Sequence, residues 1–483
     1  MLNYEQRLKR ASDIFDQGRE TVSNRLVQQD IKIEIMDERI KMLEARLNQD
    51  SHNSSLPPSS DGMNHYPKNS RKKSKRSTGG QKGHGGTTLK RSSTPDTVIV
   101  HTVNKCSRCG CSLKRVESSY NDKRQVIDIP RIETTVTEHQ AETKSCPHCG
   151  EVTQASFPEY VTKAVQYGIN LKTISVYLRQ YQLLSSKRTI EAIKDLFACT
   201  VGEGTLFNWS TELSKHLEES YNSIKEHVIE SKVINVDETG IACDKKLNWL
   251  HVASTPDATF FASHSKRGSI AMNDIGILPS YKGIAVHDMW ASYFKYDFKH
   301  GICNAHIIRE LTYAYEEFKQ GWAQKLKELL LKSHLYVERC RMRGKSALNS
   351  HKLRQYEESY GKLIRKGLRK NPWVRGSPHK RGRVKQSKVR NLLDRLRDHR
   401  AYVLAFLYDF NIPFTNNLAE RDLRMTKVKL KISGCFRSDI AADVYCRTRS
   451  YLSTTRKNGI AAFDAISDTF NGHPFIFQPN YAE

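Results

Sequence analysis

The chain has 483 residues, 38% hydrophobic, 9% aromatic and 27% charged, so it has the length for two to four domains and the composition of ordinary globular protein. Lys and Arg number 78 against 52 Asp and Glu, a formal net charge of +26. That excess points to a polyanion, nucleic acid before an acidic membrane surface, and the lack of any run of about 18 apolar residues excludes a transmembrane helix.

The N-terminal MLNYEQRLKR has no apolar core of a secretory signal, so a cytoplasmic location is expected. Residues 1–47 read as an N-terminal coiled-coil helix. Leu26, Ile33, Ile40 and Leu47 recur every seven residues, Met36 and Leu43 fill d positions, and Gln29 interrupts the first of them. This spacing predicts self-association; a lone amphipathic helix packed on its own chain is the alternative. Residues 48–98, rich in Ser, Asn, Gly, Pro and basic residues, read as a flexible linker. Within it, residues 68–91 hold nine Lys/Arg and no acid, and Lys72, Lys73 and Arg76 are candidate contacts to a phosphate backbone.

Residues 99–152 alternate like short strands around two Cys-x-x-Cys-Gly turns. Cys106 and Cys109 form one pair, Cys146 and Cys149 the other, with 36 residues between. Two such turns complete a tetrahedral four-cysteine site, so a zinc ribbon with one structural Zn²⁺ is predicted, Gly110 and Gly150 letting the turns close. Cys111 and His148 are spectators in this reading. A redox pair is the alternative, but it would not need two copies. Residues 153–230 are helical, with segments joined around Thr200–Gly204, either a helix-turn-helix-like DNA-binding region or a plain connector.

Residues 231–310 turn to α/β. VINVDETG, LNWLHVAST, ATFFASHS and KGIAVHDMW read as strands, and GICNAHIIRELTYAYEE as a strand entering a helix. Residues 311–412 are a basic helical segment; residues 362–390 hold twelve Lys/Arg and no acid, with Arg381 and Arg383 as candidate DNA contacts. Residues 413–483 open with FTNNLAERDLRMTKVKLK, a Thr/Asn cap signal and a helix.

Three acids carry the chemistry in this reading. Asp237 lies in the first strand, Asp288 ends a later strand 51 residues on, and Glu420 lies on a helix 132 residues further. Such residues can meet at one end of a sheet, and hard oxygen ligands suit Mg²⁺ or Mn²⁺. Two ions roughly 3.5–4 Å apart activate a nucleophile and stabilise the leaving oxygen of a phosphodiester. Glu238, Asp244 and Asp422 are rival carboxylates. Arg421, Arg424 and Lys427 follow Glu420, the last two at i+4 and i+7 on its helical face, where DNA phosphates would approach.

The ordered set NSSLPPSSDG, TGGQKGHGG, the cysteine knuckles, INVDETG, VHDMWASY, CNAHIIREL and FTNNLAERDLRMTKVKLKISGCFRS resembles the insertion-sequence-66 family of bacterial DDE transposases, over nearly the whole chain to about residue 465. The resemblance implies an α+β fold whose RNase H-like core, a mixed sheet with helices, is split by a large helical insertion. It implies two divalent metals on the triad Asp237, Asp288 and Glu420. Lys427 matches the family's basic residue after the third acid. Cys303, His306 and Arg309 match a Cys-x-Ala-His-x-x-Arg element with no role assigned. Leu56 departs from the lysine usual in the linker motif. The implied activity is cleavage at the element's ends and strand transfer into target DNA, by a nucleoid-associated homodimer or higher oligomer, alongside small accessory proteins of the same element. A structure-selective nuclease with the same core, or a non-catalytic zinc DNA-binding regulator, is the alternative.

Overall fold

The computed structural model describes residues 4–54, 89–118, 122–129, 132–374 and 384–477. Two helices come first, α1 (Tyr4–Phe15) and α2 (Arg19–Leu47). The expected helix over 20–47 is present, but its apolar stripe stays largely uncovered among the described residues: Leu26, Ile33, Ile40 and Leu47 are 49% to 84% exposed. Val27, Ile31, Ile35 and Met42 are exposed off the stripe as well, so apolar residues surround the helix rather than forming one seam. Its end is tied down. Tyr313 donates to the Ala45 carbonyl at 3.1 Å, and Asn48 to Glu317 at 3.1 Å. Asp50 accepts the backbone N–H groups of His52 and Asn53, which closes a compact turn. Residues 48–54 therefore form a docked turn rather than the start of a loose linker. Lys72, Lys73, Arg76, Arg381 and Arg383 lie outside the described residues.

The strands expected over 99–152 are sparse among the described residues. β1 (Thr143–Ser145) pairs antiparallel with β2 (Val152–Gln154) around the second cysteine turn, and a single bridge, Lys105 to Ser112, flanks the first. Four helices follow: α3 (Ile169–Val176), which runs on as a π-helical turn over Tyr177–Tyr181, then α4 (Ser186–Phe197), α5 (Glu203–His216) and α6 (Glu218–Glu230).

The centre is a five-stranded mixed sheet. β3 (Val233–Cys243), β4 (Lys246–Ser254) and β5 (Thr259–His264) form an antiparallel meander. Asp244 and Lys245, at φ of 44° and 59°, make the two-residue turn from β3 to β4, where positive φ at both positions matches the twist of the strands. α7 (Ser269–Ile275) leads to β6 (Ile284–His287) and β7 (Lys299–Ile302), both parallel to β3, giving the order β5-β4-β3-β6-β7.

Side chains alternate along a strand, so the sheet builds two cores. Ile234 and Val236 pack against α6 and α7 through Ile224, Val228 and Met272. Ile241, Leu250, Val252 and Phe261 pack against Ala419, Leu423 and Tyr445 of α14 (Asn417–Ser433) and α15 (Asp439–Lys457). The chain between sheet and α14 comprises α8 (Asn304–Glu316), α9 (Gly321–Arg341), α10 (Ser350–Lys370), α11 (Lys388–Asp398), α12 (Arg400–Val403) and α13 (Ala405–Tyr408). These six share one core around Trp322, Leu326, Leu393 and Phe406.

The expected boundary at residue 230 does not separate two bodies. Val176, Leu206, Trp209 and Leu213 pack with Tyr451 and Leu452 of α15 and Ile466 of α16 (Ala462–Phe470). The early helices and the C-terminal tail thus complete one core, in which α5 buries Leu206, Trp209 and Leu213.

Candidate active site

Asp237 sits mid-strand in β3, opposite Val252 of β4. Directly opposed residues share a face, and Val252 packs under α14, so Asp237 opens towards that helix. Asp288 directly follows β6, the parallel neighbour of β3. Its carboxylate accepts the Trp290 N–H at 2.9 Å, while Met289 between them takes φ of 70° to make the bend. Glu420 lies in the first turn of α14.

These three acids share one electrostatic neighbourhood. The Asp237 carboxyl is pushed up to about 8, first by burial and then by the charge of Glu238, with Asp288 and Glu420 adding to it. Crowded oxygen donors with too little cationic compensation fit a hard divalent ion. Lys427 feels this charge: burial lowers its affinity for its proton and the Asp237 charge opposes that. Arg421 and Arg424 are exposed on the same helix.

The rival carboxylates have structural partners. Glu238 points to the other face, where Arg267 donates to it at 2.9 and 2.7 Å and the Tyr293 hydroxyl also binds it. Asp422 accepts from Ser254 and Thr259, each at 2.8 Å, and from Lys457 at 2.9 Å, which pins α14 to the sheet and to α15. Asp244 belongs to the β3–β4 turn.

Two asparagines set the height of Glu420, and neither stood out in the sequence as more than a cap. Asn416 stands at the N-cap of α14, but its side chain does not cap. It donates to the Val236 carbonyl at 2.8 Å and accepts from Asn235 at 2.8 Å, both bonds buried. The Asn416 N–H reaches Cys303 Sγ at 3.2 Å, and the Asn304 N–H reaches the Phe414 carbonyl at 3.0 Å. The start of α14 is thereby fastened to the strand that carries Asp237. Cys303 Sγ and His306 Nδ1 each lie 3.8 Å from Glu420 Oε1.

A second group of cations also went unread. Lys429 is pushed down to about 8 by burial and by the Arg179 charge. Arg179 Nη1 and Arg449 Nε are buried without a hydrogen-bond partner among the described residues. Both guanidinium groups lie near the Tyr177–Tyr181 turn, Arg449 over the Tyr181 ring at 5.6 Å.

The cysteine turns are near copies. Gly110 and Gly150 both take φ of 76°, and their N–H groups reach the carbonyls of Cys106 at 3.0 Å and Cys146 at 2.9 Å. Backbone N–H groups of Cys109 and Arg108 hold the Cys106 thiol below its ordinary range, and those of Cys149 and His148 do the same for Cys146. Amides aimed at sulfur favour thiolate, the form that binds zinc. Each turn is complete, yet the four sulfurs do not gather within 4.8 Å of one another among the described residues.

Residues 164–444, more than half of the chain and the span holding Asp237, Asp288 and Glu420, match the family described as Transposase IS66 family. Residues 104–150, which hold all four paired cysteines, match the zinc-finger binding domain of transposase IS66. Residues 9–90 match a family of unknown function (DUF6444). No curated protein matches the chain. No helix among the described residues is long and apolar enough to cross a membrane.

Proposed function

The chain belongs to the Transposase IS66 family, and from that premise we propose that it cuts DNA at the ends of a mobile element and joins the freed strand to target DNA. Asp237, Asp288 and Glu420 would hold two Mg²⁺ or Mn²⁺ ions, which supply Lewis-acid stabilisation of charge at phosphorus when bound. The observation that carries this reading is the crowding of Asp237 by Asp288 and Glu420, three acids from a strand, a strand end and a helix. The sheet order supports an RNase H-like core: three antiparallel strands, then two parallel to the first.

The chain's own residues have separate tasks. Lys427, beside Asp237, meets a phosphate oxygen next to the acids. Arg421 and Arg424, exposed on the same helix, contact the DNA backbone further out. Asn416 and Asn235 keep Glu420 at a fixed height over β3. In the first step a water oxygen adds to phosphorus at the element end and the 3′ oxygen leaves as an alcohol. In the second, that 3′-OH attacks a target phosphodiester and displaces another 3′ oxygen. Both are in-line displacements that need positioning rather than a covalent enzyme intermediate. Cys106, Cys109, Cys146 and Cys149 would hold one structural Zn²⁺, and their module would grip the terminal repeats. The exposed apolar residues of α2, though not confined to one seam, would be covered by pairing two protomers, and so two ends.

The test is strand transfer with Mg²⁺, using labelled end DNA and a supercoiled target, beside Asp288→Ala. Joined product from the wild type alone supports the proposal. Nicking without joining favours a nuclease, and binding with neither favours a regulator.

A further inference from the structure

We infer that Cys303, His306 and Glu420 form a soft transition-metal site, of the Zn²⁺ class, that shares its carboxylate with the proposed magnesium site. Cys303 immediately precedes α8 and His306 lies in that helix's first turn, so the i, i+3 spacing sets both side chains on one side of the helix start. Glu420 comes from the first turn of α14, and the two helix starts are locked together by the Asn304–Phe414 and Asn416–Cys303 bonds. The three ligand atoms all lie within 4.8 Å of one another, and the Cys–Glu and His–Glu separations are each 3.8 Å. A tetrahedral zinc with bonds of about 2.3 Å to sulfur and about 2.0–2.1 Å to nitrogen or oxygen separates its ligands by roughly 3.4–3.6 Å. A contraction of a few tenths of an ångström brings Glu420 to ligand spacing from both Cys303 and His306, whose own atoms lie within 4.8 Å of each other.

Two features of the ligands favour an ion over a purely structural cluster. His306 Nδ1 is buried and has no hydrogen-bond partner among the described residues. An unpaired buried nitrogen costs about 1–3 kcal/mol, which a metal bond at that atom would offset. Cys303 Sγ accepts the Asn416 N–H at 3.2 Å, an interaction that strengthens with negative charge on sulfur and orients the lone pairs. Thiolate and imidazole select zinc against magnesium. Three protein ligands leave a fourth tetrahedral position open.

Zinc bound here engages Glu420 and withdraws it from the hard ions, so it inhibits the Mg²⁺ reaction. The site itself rests on geometry; the inhibition rests on the role given to Glu420 under Proposed function. The test titrates Zn²⁺ into the metal-stripped full chain against a chromogenic chelator, with wild type, Cys303→Ser and His306→Asn, each checked for folding by circular dichroism. Wild type is expected to hold one zinc more than either variant. If Cys303→Ser does not fold, His306→Asn decides, because that ring is only partly buried. Equal stoichiometry in wild type and folded His306→Asn overturns the site. In parallel, the ratio of Mg²⁺-dependent cleavage with and without zinc is compared. Wild type should lose at least tenfold as the extra site fills, while His306→Asn should not follow that curve. An extra zinc that leaves wild-type cleavage undiminished overturns the inhibition and the role of Glu420, and leaves the site standing.

Discussion

Asp237, Asp288 and Glu420 sit on densely packed elements. β3 is the middle strand of five, α14 is pinned to it through Asn416 and to β4 and β5 through Asp422, and Ala419 and Leu423 are buried beside Glu420. The four cysteines of the knuckle module have no such support among the described residues. Val98, Val100, Val103, Val126, Ile129 and Val136 around them are 66% to 95% exposed, and regular pairing among the described residues is confined to β1–β2. The acids sit on packed elements. In the other region two local turns are formed, and the proposed zinc would bring them together, as in a small module whose metal binding is also its folding.

The sharpest test of that contrast is removal of zinc. Structural zinc is worth about 10–16 kcal/mol of apparent folding energy in small modules. A strong chelator should therefore abolish protection from hydrogen exchange across residues 104–150 and weaken binding to end DNA at least tenfold. The melting of the sheet core should stay in place. A core that melts with the module would break the comparison.

Next in size is Asp237→Asn. With Asp237 in the proposed metal-binding role, its loss should lower cleavage by about 10³-fold or more. Without divalent ions the same variant should melt higher than wild type. A carboxyl raised to about 8 by burial and by its acidic neighbours opposes folding above its ordinary value near 3.8, and the amide removes that opposition. Mg²⁺ should then raise the melting temperature of wild type more than that of the variant. An Asp237→Asn protein that melts lower would mean that the carboxylate is a structural partner, as Asp422 is.

Asn416→Ala comes third. It removes two buried bonds, leaving the Val236 carbonyl and the Asn235 amide unpaired, at a cost of about 2–4 kcal/mol. Because the bonds fix Glu420 over β3, kcat should fall more than end-DNA affinity does. Equal losses in both would reduce Asn416 to a stability residue.

What could be read in advance follows from the range of each interaction. Strand alternation around Asp237 and Asp288, the Cys-x-x-Cys-Gly turns and the start of α14 are local patterns, and the structure has elements at each. Asn416 was legible only as a cap, because the bonds that employ it reach residues 180 and 181 positions away. The pairing of α3 and α5 with α15 and α16 is likewise invisible to periodicity, which shows that a face is apolar but not what covers it. Arg179 and Lys429 escaped for the same reason: neither lies in a basic run, and tertiary packing alone brings their charges together.

The smallest effect expected is the acid sensitivity of the sheet core. His287, next to Asp288, is fully buried, with its Nδ1 facing the Met289 N–H at 3.3 Å and its Nε2 3.0 Å from His300 Nδ1. That network assigns the proton to Nε2 and has no place for a second one. Burial, followed by the charges of His300 and His399, takes the His287 ring down to about 3, and burial takes His251 down to about 4. Both values are depressed in the folded state, so the unfolded chain binds the extra protons. The stability is fully present above the ordinary value near 6.5 and is lost as pH falls from there towards 3–4. At pH 5 each ring should contribute a loss of about 2 kcal/mol relative to pH 7. Urea unfolding at the two pH values measures it. His287→Asn should be less stable than wild type at pH 7 yet lose less on going to pH 5. An unchanged pH slope in that variant would place the acid-sensitive group elsewhere and remove His287 from the support beneath Asp288.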